Sequence, residues 1–187
     1  MRALRVCCVC LLSLLVGGGL AHADLNQVTV GDLPGSNGAW QVGEVTVAAP
    51  AAEVQRWFAD AAAWPSRFPD DKWVRVMGTT PDGRQVVQFR SKILGRDLTL
   101  RLREQPGSIV YDGEGKGVHL QGKIYIESLG PQLTHVVLQS SAKLHGTTAA
   151  LISEKMKRGR ALKKLSSDLH AIVRLSHTYA ATPRRGG

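Results

Sequence analysis

Residues 45–54 read Val-Thr-Val-Ala-Ala-Pro-Ala-Ala-Glu-Val, a short alternating pattern that runs directly into a proline-started helix. Proline fits the first turn of a helix because backbone N–H groups there have no partner within the helix, so the N–H that proline lacks is not missed. Glu53 adds a negative charge near the positive end of the helix dipole. Apolar residues then recur at helical spacing: Val54, Trp57, Phe58 and Ala61. The stretch therefore predicts a strand over 41–48 and a helix over 50–63, which Trp64-Pro65 would end.

Beyond this helix the period of the apolar residues changes to two, which is typical of antiparallel strands with one buried face. Six more strands are predicted, over 72–80, 84–93, 95–104, 108–113, 119–129 and 135–144. A long helix is predicted from about 148 to 176, because apolar positions return there every three or four residues. The order predicts an α+β fold, with one seven-stranded antiparallel sheet covered by the long C-terminal helix.

The first 23 residues have the parts of a secretory signal peptide: a basic start, a short apolar run and a small-x-small end. The sequence therefore predicts a cleaved signal peptide over 1–23 and an exported protein, periplasmic or extracellular. An uncleaved N-terminal anchor is the alternative. An arm over 24–40 follows, in which Val28-Thr29-Val30 is compatible with a short strand, and a flexible tail is predicted over 177–187.

The composition suits a single globular domain, since 43% of the 187 residues are hydrophobic. All three cysteines, Cys7, Cys8 and Cys10, lie in the predicted signal peptide, so the exported chain would have no thiol chemistry. The net charge of +9 permits an anionic partner. Export argues against nucleic acid, and leaves open an anionic membrane surface, an acidic envelope polymer or simple solubility as the reason for the charge. We expect a monomer.

Residues 45–54, Phe58-Ala59-Asp60 and the aromatic-proline turn over 64–70 resemble the START-like superfamily, also called the polyketide cyclase/dehydrase-like or SRPBCC superfamily. The resemblance covers about 41–176. It implies a helix-grip fold, in which a curved sheet wraps around the C-terminal helix. It also implies a binding or carrier protein for a lipid, sterol, quinone, polyketide or similar apolar ligand. A few members are enzymes, but the superfamily shares no catalytic signature that could be carried over.

The inward strand positions and the apolar stripe of the last helix define the predicted binding site. The predicted ligand-binding residues are Phe89, Ser91, Leu100, Tyr111, Gly122, Ile124, Leu138, Ser140, Ile152, Met156 and Gly159. The predicted cavity rim is formed by Trp64, Phe68, Lys155 and Arg158. Small residues on the facing surfaces are compatible either with an apolar hollow or with close packing. The basic run over 155–164 is compatible with a cationic rim or with a solvated helix face.

No nucleophile elbow, metalloprotease motif or phosphate-binding loop occurs in the sequence. Asp112 and Glu114 could form an acid–base pair, but their strand parity places them on the solvent side. We therefore predict no catalytic residue, no metal site and no cofactor. Two other functions stay open: a cyclase-, dehydratase- or hydrolase-type enzyme using the same pocket, and an envelope interaction module that uses the basic helix.

Overall fold

The computed structural model describes residues 24–146 and 152–181. The predicted signal peptide lies outside these residues. Eight strands occur in the described part: β1 (Thr29–Asp32), β2 (Gln41–Val47), β3 (Asp71–Thr79), β4 (Gln85–Ser91), β5 (Arg96–Gln105), β6 (Ser108–Gly115), β7 (Val118–Gly130) and β8 (Leu133–Leu144). The helices there are α1 (Ala51–Ala59), α2 (Trp64–Arg67) and α3 (Glu154–Ala181), with one 3-10 turn at Ala61–Ala63.

The strands form one antiparallel sheet in the order β1-β2-β8-β7-β6-β5-β4-β3. The α+β class and the C-terminal helix agree with the prediction, whereas the number of strands is eight rather than seven. The additional strand is β1, which pairs with β2 from Thr29 opposite Glu44 to Asp32 opposite Gln41. Four residues interrupted by Gly31 give too short an alternation to predict a strand firmly.

The sheet wraps around α3, because side chains of this helix reach both edges of the sheet. Arg158 Nε lies 2.8 Å from Asp32 Oδ1 at the end of β1. Lys164 Nζ lies 3.2 Å from Asp71 Oδ1 at the start of β3. Eight strands laid flat would span about 34 Å, while six residues of helix rise only about 9 Å. Both contacts therefore require a strongly curved sheet. Such a sheet agrees with the helix-grip fold that the family resemblance implied.

Two predicted helix boundaries were wrong. The first helix ends at Ala59 instead of 63, and Trp64-Pro65 begins α2 rather than ending a helix. Proline is tolerated in the first turn of α2 for the same reason that Pro50 is tolerated before α1. Arg67 then caps the end of α1, because its guanidinium donates to the carbonyl of Trp57 at 3.2 Å and to Asp60 Oδ2 at 3.0 Å.

The last helix runs from Glu154 to Ala181, and thus ends later than the predicted 148–176. Residues 148–151 of that prediction lie outside the described part of the chain, and residues 152 and 153 are not helical. Residues 177–181, the start of the predicted flexible tail, are helical. The second half of α3 packs on β2 through Leu169 and Ile172, which are fully buried. Gly43 allows this approach, since a Cβ there would lie 2.8 Å from Leu169 Cδ1. The close packing of this half leaves the first half of α3 free to border a cavity.

Candidate functional site

A cavity of about 170 Å³ lies between the sheet and the first half of α3. The sheet contributes a mainly apolar lining from β4 to β8: Phe89, Leu98, Leu100, Leu102, Ile109, Tyr111, Val118, Leu120, Ile124, Leu138, Ser140, Ala142 and Leu144. These positions share one strand parity, so a single face of the sheet forms the wall. The helix contributes Lys157, Arg160, Ala161, Lys164, Leu165 and Asp168, which recur at helical spacing on one face.

Four aromatic side chains form the wall beside α1 and α2. Phe58 stacks on Phe68 with ring centroids 5.6 Å apart, and Trp64 meets Phe89 edge to face at 6.1 Å. The indole N–H of Trp64 donates to the carbonyl of Phe58 at 2.9 Å. All four rings are buried and line the cavity. The predicted rim residues Trp64 and Phe68 therefore belong to the interior wall rather than to the rim.

The glycines of the inner face are covered by neighbouring side chains. In the sheet register Tyr111 stands opposite Gly122, which stands opposite Ser140. A Cβ on Gly122 would overlap the Cζ and hydroxyl of Tyr111. The tyrosine ring therefore lies across this glycine, with its hydroxyl toward Ser140. Gly113 is covered in the same way by Leu100. The cavity lies above these covered glycines and is not formed by them.

An ion cluster borders the cavity where α3 faces the start of β3. Lys164 Nζ lies 2.5 Å from Asp168 Oδ1, one helical turn onward, and 3.2 Å from Asp71 Oδ1. The contact with Asp71 is an ion pair rather than a hydrogen bond, and Asp71 Oδ1 accepts no hydrogen bond from the described residues. Ser167 donates a short hydrogen bond to Asp70 beside it. Lys164, Asp168 and Asp71 all line the cavity and are mostly buried.

Burial and mutual charge shift the pKa values of this cluster. Burial raises the pKa of Asp168 to about 6, although the ammonium of Lys164 opposes the shift. Burial also raises the pKa of Asp71, again against the charge of Lys164. Burial alone would lower the pKa of Lys164, but the two carboxylates together raise it above its ordinary value. Two acids sharing one ammonium thus leave Asp168 able to take or give a proton near neutral pH.

The hydroxyl of Tyr111 is the other titratable group of the cavity wall. Burial raises its pKa, and a hydrogen bond with Ser140 opposes that shift. The nearby charge of Asp168 also raises this pKa, so the phenol and the carboxyl lie within electrostatic reach of each other. At neutral pH Tyr111 is a neutral hydrogen-bond donor inside an apolar cavity.

The more exposed part of the cavity lining lies at the end of the sheet where β5 and α3 begin. Arg96, Lys157 and Arg160 line this end, and they are more exposed than the buried leucines further in. We call these three residues the cavity mouth. The cavity mouth is therefore cationic. The two acids of the described lining, Asp71 and Asp168, belong instead to the ion cluster around Lys164, which we call the Lys164 cluster.

Most predicted strand residues lie on the cavity. The structure brings together seven of the predicted ligand-binding side chains: Phe89, Leu100, Tyr111, Ile124, Leu138, Ser140 and Ile152. Gly122 lies beneath Tyr111. Ser91 does not line the cavity. It is fully buried, and its hydroxyl accepts a hydrogen bond from the N–H of Leu94 at 3.2 Å. Asp112 lies on the outer face as its parity indicated, paired with Arg84 at 2.5 Å and Arg101 at 3.1 Å.

The predicted residues of α3 lie largely off the cavity. Met156 is 47% exposed, and Gly159 is exposed with no atom within 4 Å of a Cβ placed there. Lys155 is exposed, and Arg158 pairs with Asp32 on β1, so neither forms the rim. The apolar periodicity therefore predicted the wrong face of the helix as the inward one. The face that meets the cavity carries Lys157, Arg160, Lys164 and Asp168.

No pattern in the sequence predicted the ion cluster. The available signal was the helical spacing of Lys164 and Asp168, which allows a same-face pair but does not say that the face is inward. Asp71 stands in a turn-rich segment far away in sequence, so nothing local connects it to Lys164. Only the curvature of the sheet brings the three side chains together.

Two further properties concern residues 24–146 and 152–181 only. No group of three or more histidine, cysteine or acidic side chains in them is placed to hold a metal ion. None of their helices combines the length and the apolar character that a membrane crossing needs.

Comparison with known proteins identifies the fold through solved structures. No protein-family model matches the chain, and no curated protein matches it in sequence. The Zhui aromatase/cyclase of a Streptomyces species superposes with a TM-score of 0.67 at 20% identity, over 86% of this chain and 99% of that chain. A STAR-related lipid transfer protein of Xanthomonas axonopodis gives 0.58 at 17% identity, over 80% and 92%.

A START superfamily protein of Mycobacterium smegmatis gives a TM-score of 0.58 at 20% identity, over 73% of this chain and 97% of that chain. The superpositions establish a common fold, whereas identities this low leave the ligand of this chain open. This chain therefore has the START-like fold, in which a curved sheet grips a C-terminal helix.

Proposed function

We propose that this protein is an exported, monomeric binding or carrier protein for a small, mainly apolar molecule held between the sheet and α3. The cavity carries the proposal: about 170 Å³ of space lined mainly by aliphatic and aromatic side chains. A mainly apolar cavity of this kind favours apolar ligands over water. The few inward polar groups, at Tyr111, Ser140 and the Lys164 cluster, would orient one polar group of the ligand.

The volume favours the small end of the expected ligand range. An engineered apolar cavity of about 150 Å³ in another protein holds one benzene. A body of one aromatic ring, or a short acyl chain, therefore matches 170 Å³ better than a sterol does. Structural neighbours named as an aromatase/cyclase and as a lipid transfer protein support an apolar ligand of either ring or chain type.

The proposal is tested by direct binding of phenylpropanol, a neutral molecule with one ring and a short chain. Titration calorimetry should show saturable binding to residues 24–187, and mass spectrometry after mild extraction should detect a co-purifying apolar molecule. Ala161→Leu adds bulk to the cavity wall and should weaken phenylpropanol binding. Gly159→Leu, two residues away on the exposed side of α3, is the matched control and should bind like the parent protein. Equal binding by both variants would place the ligand elsewhere.

A second candidate function is an enzyme that moves protons on the bound ligand. It is favoured by one observation: Asp168, whose pKa is raised to about 6 by burial, lines the cavity within electrostatic reach of Tyr111. A carboxylate of this pKa suits a general base at neutral pH. It could take the proton α to a ketone while a neutral donor such as the Tyr111 hydroxyl stabilises the enolate oxygen, and then return the proton.

This second function predicts deuterium incorporation from D₂O next to the carbonyl of a small ketone such as benzylacetone. The exchange rate should rise as the pH increases through about 6 and should be lost in Asp168→Asn, with binding retained. Asp97→Asn, at an exposed Arg90 pair on the outside of the sheet, is the matched control. Exchange no faster than in buffer, despite measured binding, would exclude proton abstraction and leave the carrier function.

A further inference from the structure

The charges around the cavity are sorted by position. Among the described residues that line it, the acids are Asp71 and Asp168, and both face Lys164. The remaining charged lining groups are the three cations of the cavity mouth, Arg96, Lys157 and Arg160. The described lining thus has a cluster of two carboxylates and one ammonium on one wall, and three cationic side chains at the mouth.

The three cations converge because several chain segments meet at one end of the sheet. Arg96 is the first residue of β5, after the turn that follows β4. It shares this end with Leu98, which is in line across the sheet with Val118, the first residue of β7, and Leu144, the last residue of β8. Lys157 and Arg160 come from the first two turns of α3, which follows β8.

The cations of the mouth are only lightly engaged by the protein. Lys157 Nζ lies 2.5 Å from Glu154, but the Glu154 side chain is 81% exposed, so this is a surface ion pair. Arg96 donates from one terminal nitrogen to the carbonyl of Lys116 at 2.9 Å, which leaves donors of its fork unused. Arg160 has no hydrogen bond or ion pair with any described residue. Its guanidinium is available to a molecule in the cavity.

Resting on the binding function proposed above, we propose that the ligand is a small anionic amphiphile, whose carboxylate or phosphate binds Arg160 and Arg96 at the cavity mouth while its apolar body fills the cavity. A guanidinium fork binds either anion with paired, charge-assisted hydrogen bonds. No acid among the described residues pairs with Arg160, so an anionic group of the ligand is the complementary partner. The volume of about 170 Å³ limits the buried body to about one ring or a short chain.

The neighbouring basic residues of α3 do not belong to this site. Lys155 and Lys163 are exposed and do not line the cavity, and Arg158 is tied to Asp32. The basic run therefore divides into residues that face the cavity and residues that face solvent. This division provides a charge-matched control on the same helix.

The test compares phenylpropionate with phenylpropanol, which differ in the anionic group alone. Titration calorimetry on residues 24–187 should show phenylpropionate binding about tenfold or more tightly than phenylpropanol, the scale of one charge-assisted hydrogen bond. Arg160→Gln should abolish that preference and leave the affinity for phenylpropanol unchanged. Arg158→Gln removes the same charge two residues away and should keep the preference, with thermal unfolding confirming that both variants fold.

The outcomes separate this proposal from the binding function beneath it. Phenylpropanol binding without a preference for phenylpropionate overturns the anionic ligand and leaves the apolar site standing. Binding of neither probe overturns both. Equal losses in Arg160→Gln and Arg158→Gln would mean diffuse attraction rather than a site at the mouth, and would also overturn it.

A second arm distinguishes a free acid from a lipid headgroup. Phenyl phosphate should bind with the same dependence on Arg160 as phenylpropionate, since the anion rather than its source is recognised. Vesicles of phosphatidylglycerol should sediment little protein, because a diacyl lipid exceeds the cavity many times over. Sedimentation that falls equally in Arg160→Gln and Arg158→Gln would assign the basic helix to a membrane surface and contradict a site at the mouth.

Discussion

The ammonium of Lys164, in the middle of α3, lies 3.2 Å from the carboxylate of Asp71, the first residue of the edge strand β3. This contact closes the grip of the sheet around the helix on the side opposite β1 and β2. Ser167, one turn onward on α3, reaches Asp70 beside it. The same contact forms part of the cavity wall, so sheet closure and site geometry depend on one cluster.

Lys164→Met should destabilise the protein by about 3–5 kcal/mol at pH 7.5, because it leaves the carboxylates of Asp71 and Asp168 mostly buried without their shared cation. The loss should be smaller at pH 5, where Asp168, with a pKa of about 6 even beside Lys164, is mostly protonated. Urea unfolding at both pH values measures the difference.

Lys163→Met is the control for this experiment, because Lys163 is the exposed neighbour on the same helix turn. Its unfolding free energy should change by no more than about 0.5 kcal/mol. A loss in Lys164→Met no larger than that of Lys163→Met would show that the cluster contributes little to closing the sheet.

Asp168→Asn should remove one component of the pH dependence of stability. The pKa of Asp168 is about 6 in the folded protein against an ordinary 3.8, so the folded state binds more protons between these values. This group therefore favours the folded state below about pH 4, and the contribution is lost as the pH rises through 6. The slope is at most about 1.4 kcal/mol per pH unit. Subtracting the unfolding free energy of the variant from that of the parent protein at each pH isolates the contribution of Asp168.

Asp97→Asn provides a control of opposite sign. The hydrogen bond from Arg90 lowers the pKa of Asp97, so this carboxylate stabilises the folded state above its ordinary pKa and loses that effect on acidification. The two asparagine variants should change the slope of stability against pH in opposite directions. A change of the same sign in both would contradict the raised pKa of Asp168.

The sheet could be predicted from sequence because strand parity is a local property. A period of two assigns each residue to a face, and the predicted strand boundaries lie within two residues of the observed ones. The same parity placed Phe89, Leu100, Tyr111 and Leu138 on the face that lines the cavity. β1 escaped firm prediction because a pattern of four residues carries little periodic information.

The helix could not be predicted as well, because its inward face is polar where it meets the cavity. Apolar periodicity placed Met156 and Gly159 inward, whereas Arg160 and Lys164 line the cavity. A helix that borders a hollow does not need the continuous apolar stripe that a packed helix needs. The partner of Lys164 comes from the opposite edge of the sheet, and no local pattern reveals a contact made by curvature.

Gly122→Ala should destabilise the protein by at least about 2 kcal/mol, because the new methyl group would overlap both the Tyr111 hydroxyl region and the backbone carbonyl oxygen of Gln139. Tyr111→Leu in the same chain should restore only part of the loss, since the carbonyl contact remains. Gly31→Ala, in β1 with no atom within 4 Å, is the matched strand glycine and should be nearly neutral. Equal effects at both glycines in thermal unfolding would contradict the placement of the tyrosine ring over Gly122.

Gly159→Ala should stabilise the protein by about 0.5–1 kcal/mol without changing the affinity for phenylpropionate or phenylpropanol. Gly159 lies inside α3, is exposed and has open space where a Cβ would stand, so alanine gains helix propensity at no steric cost. The sequence pattern placed this glycine in the cavity, where a larger side chain would compete with the ligand. Weakened binding in Gly159→Ala, whether or not stability rises, would instead indicate that Gly159 lies in the cavity. That position would require α3 to be rotated by about one residue from the orientation described above. Unchanged binding with raised stability supports a cavity bordered by Arg160, Ala161 and Lys164.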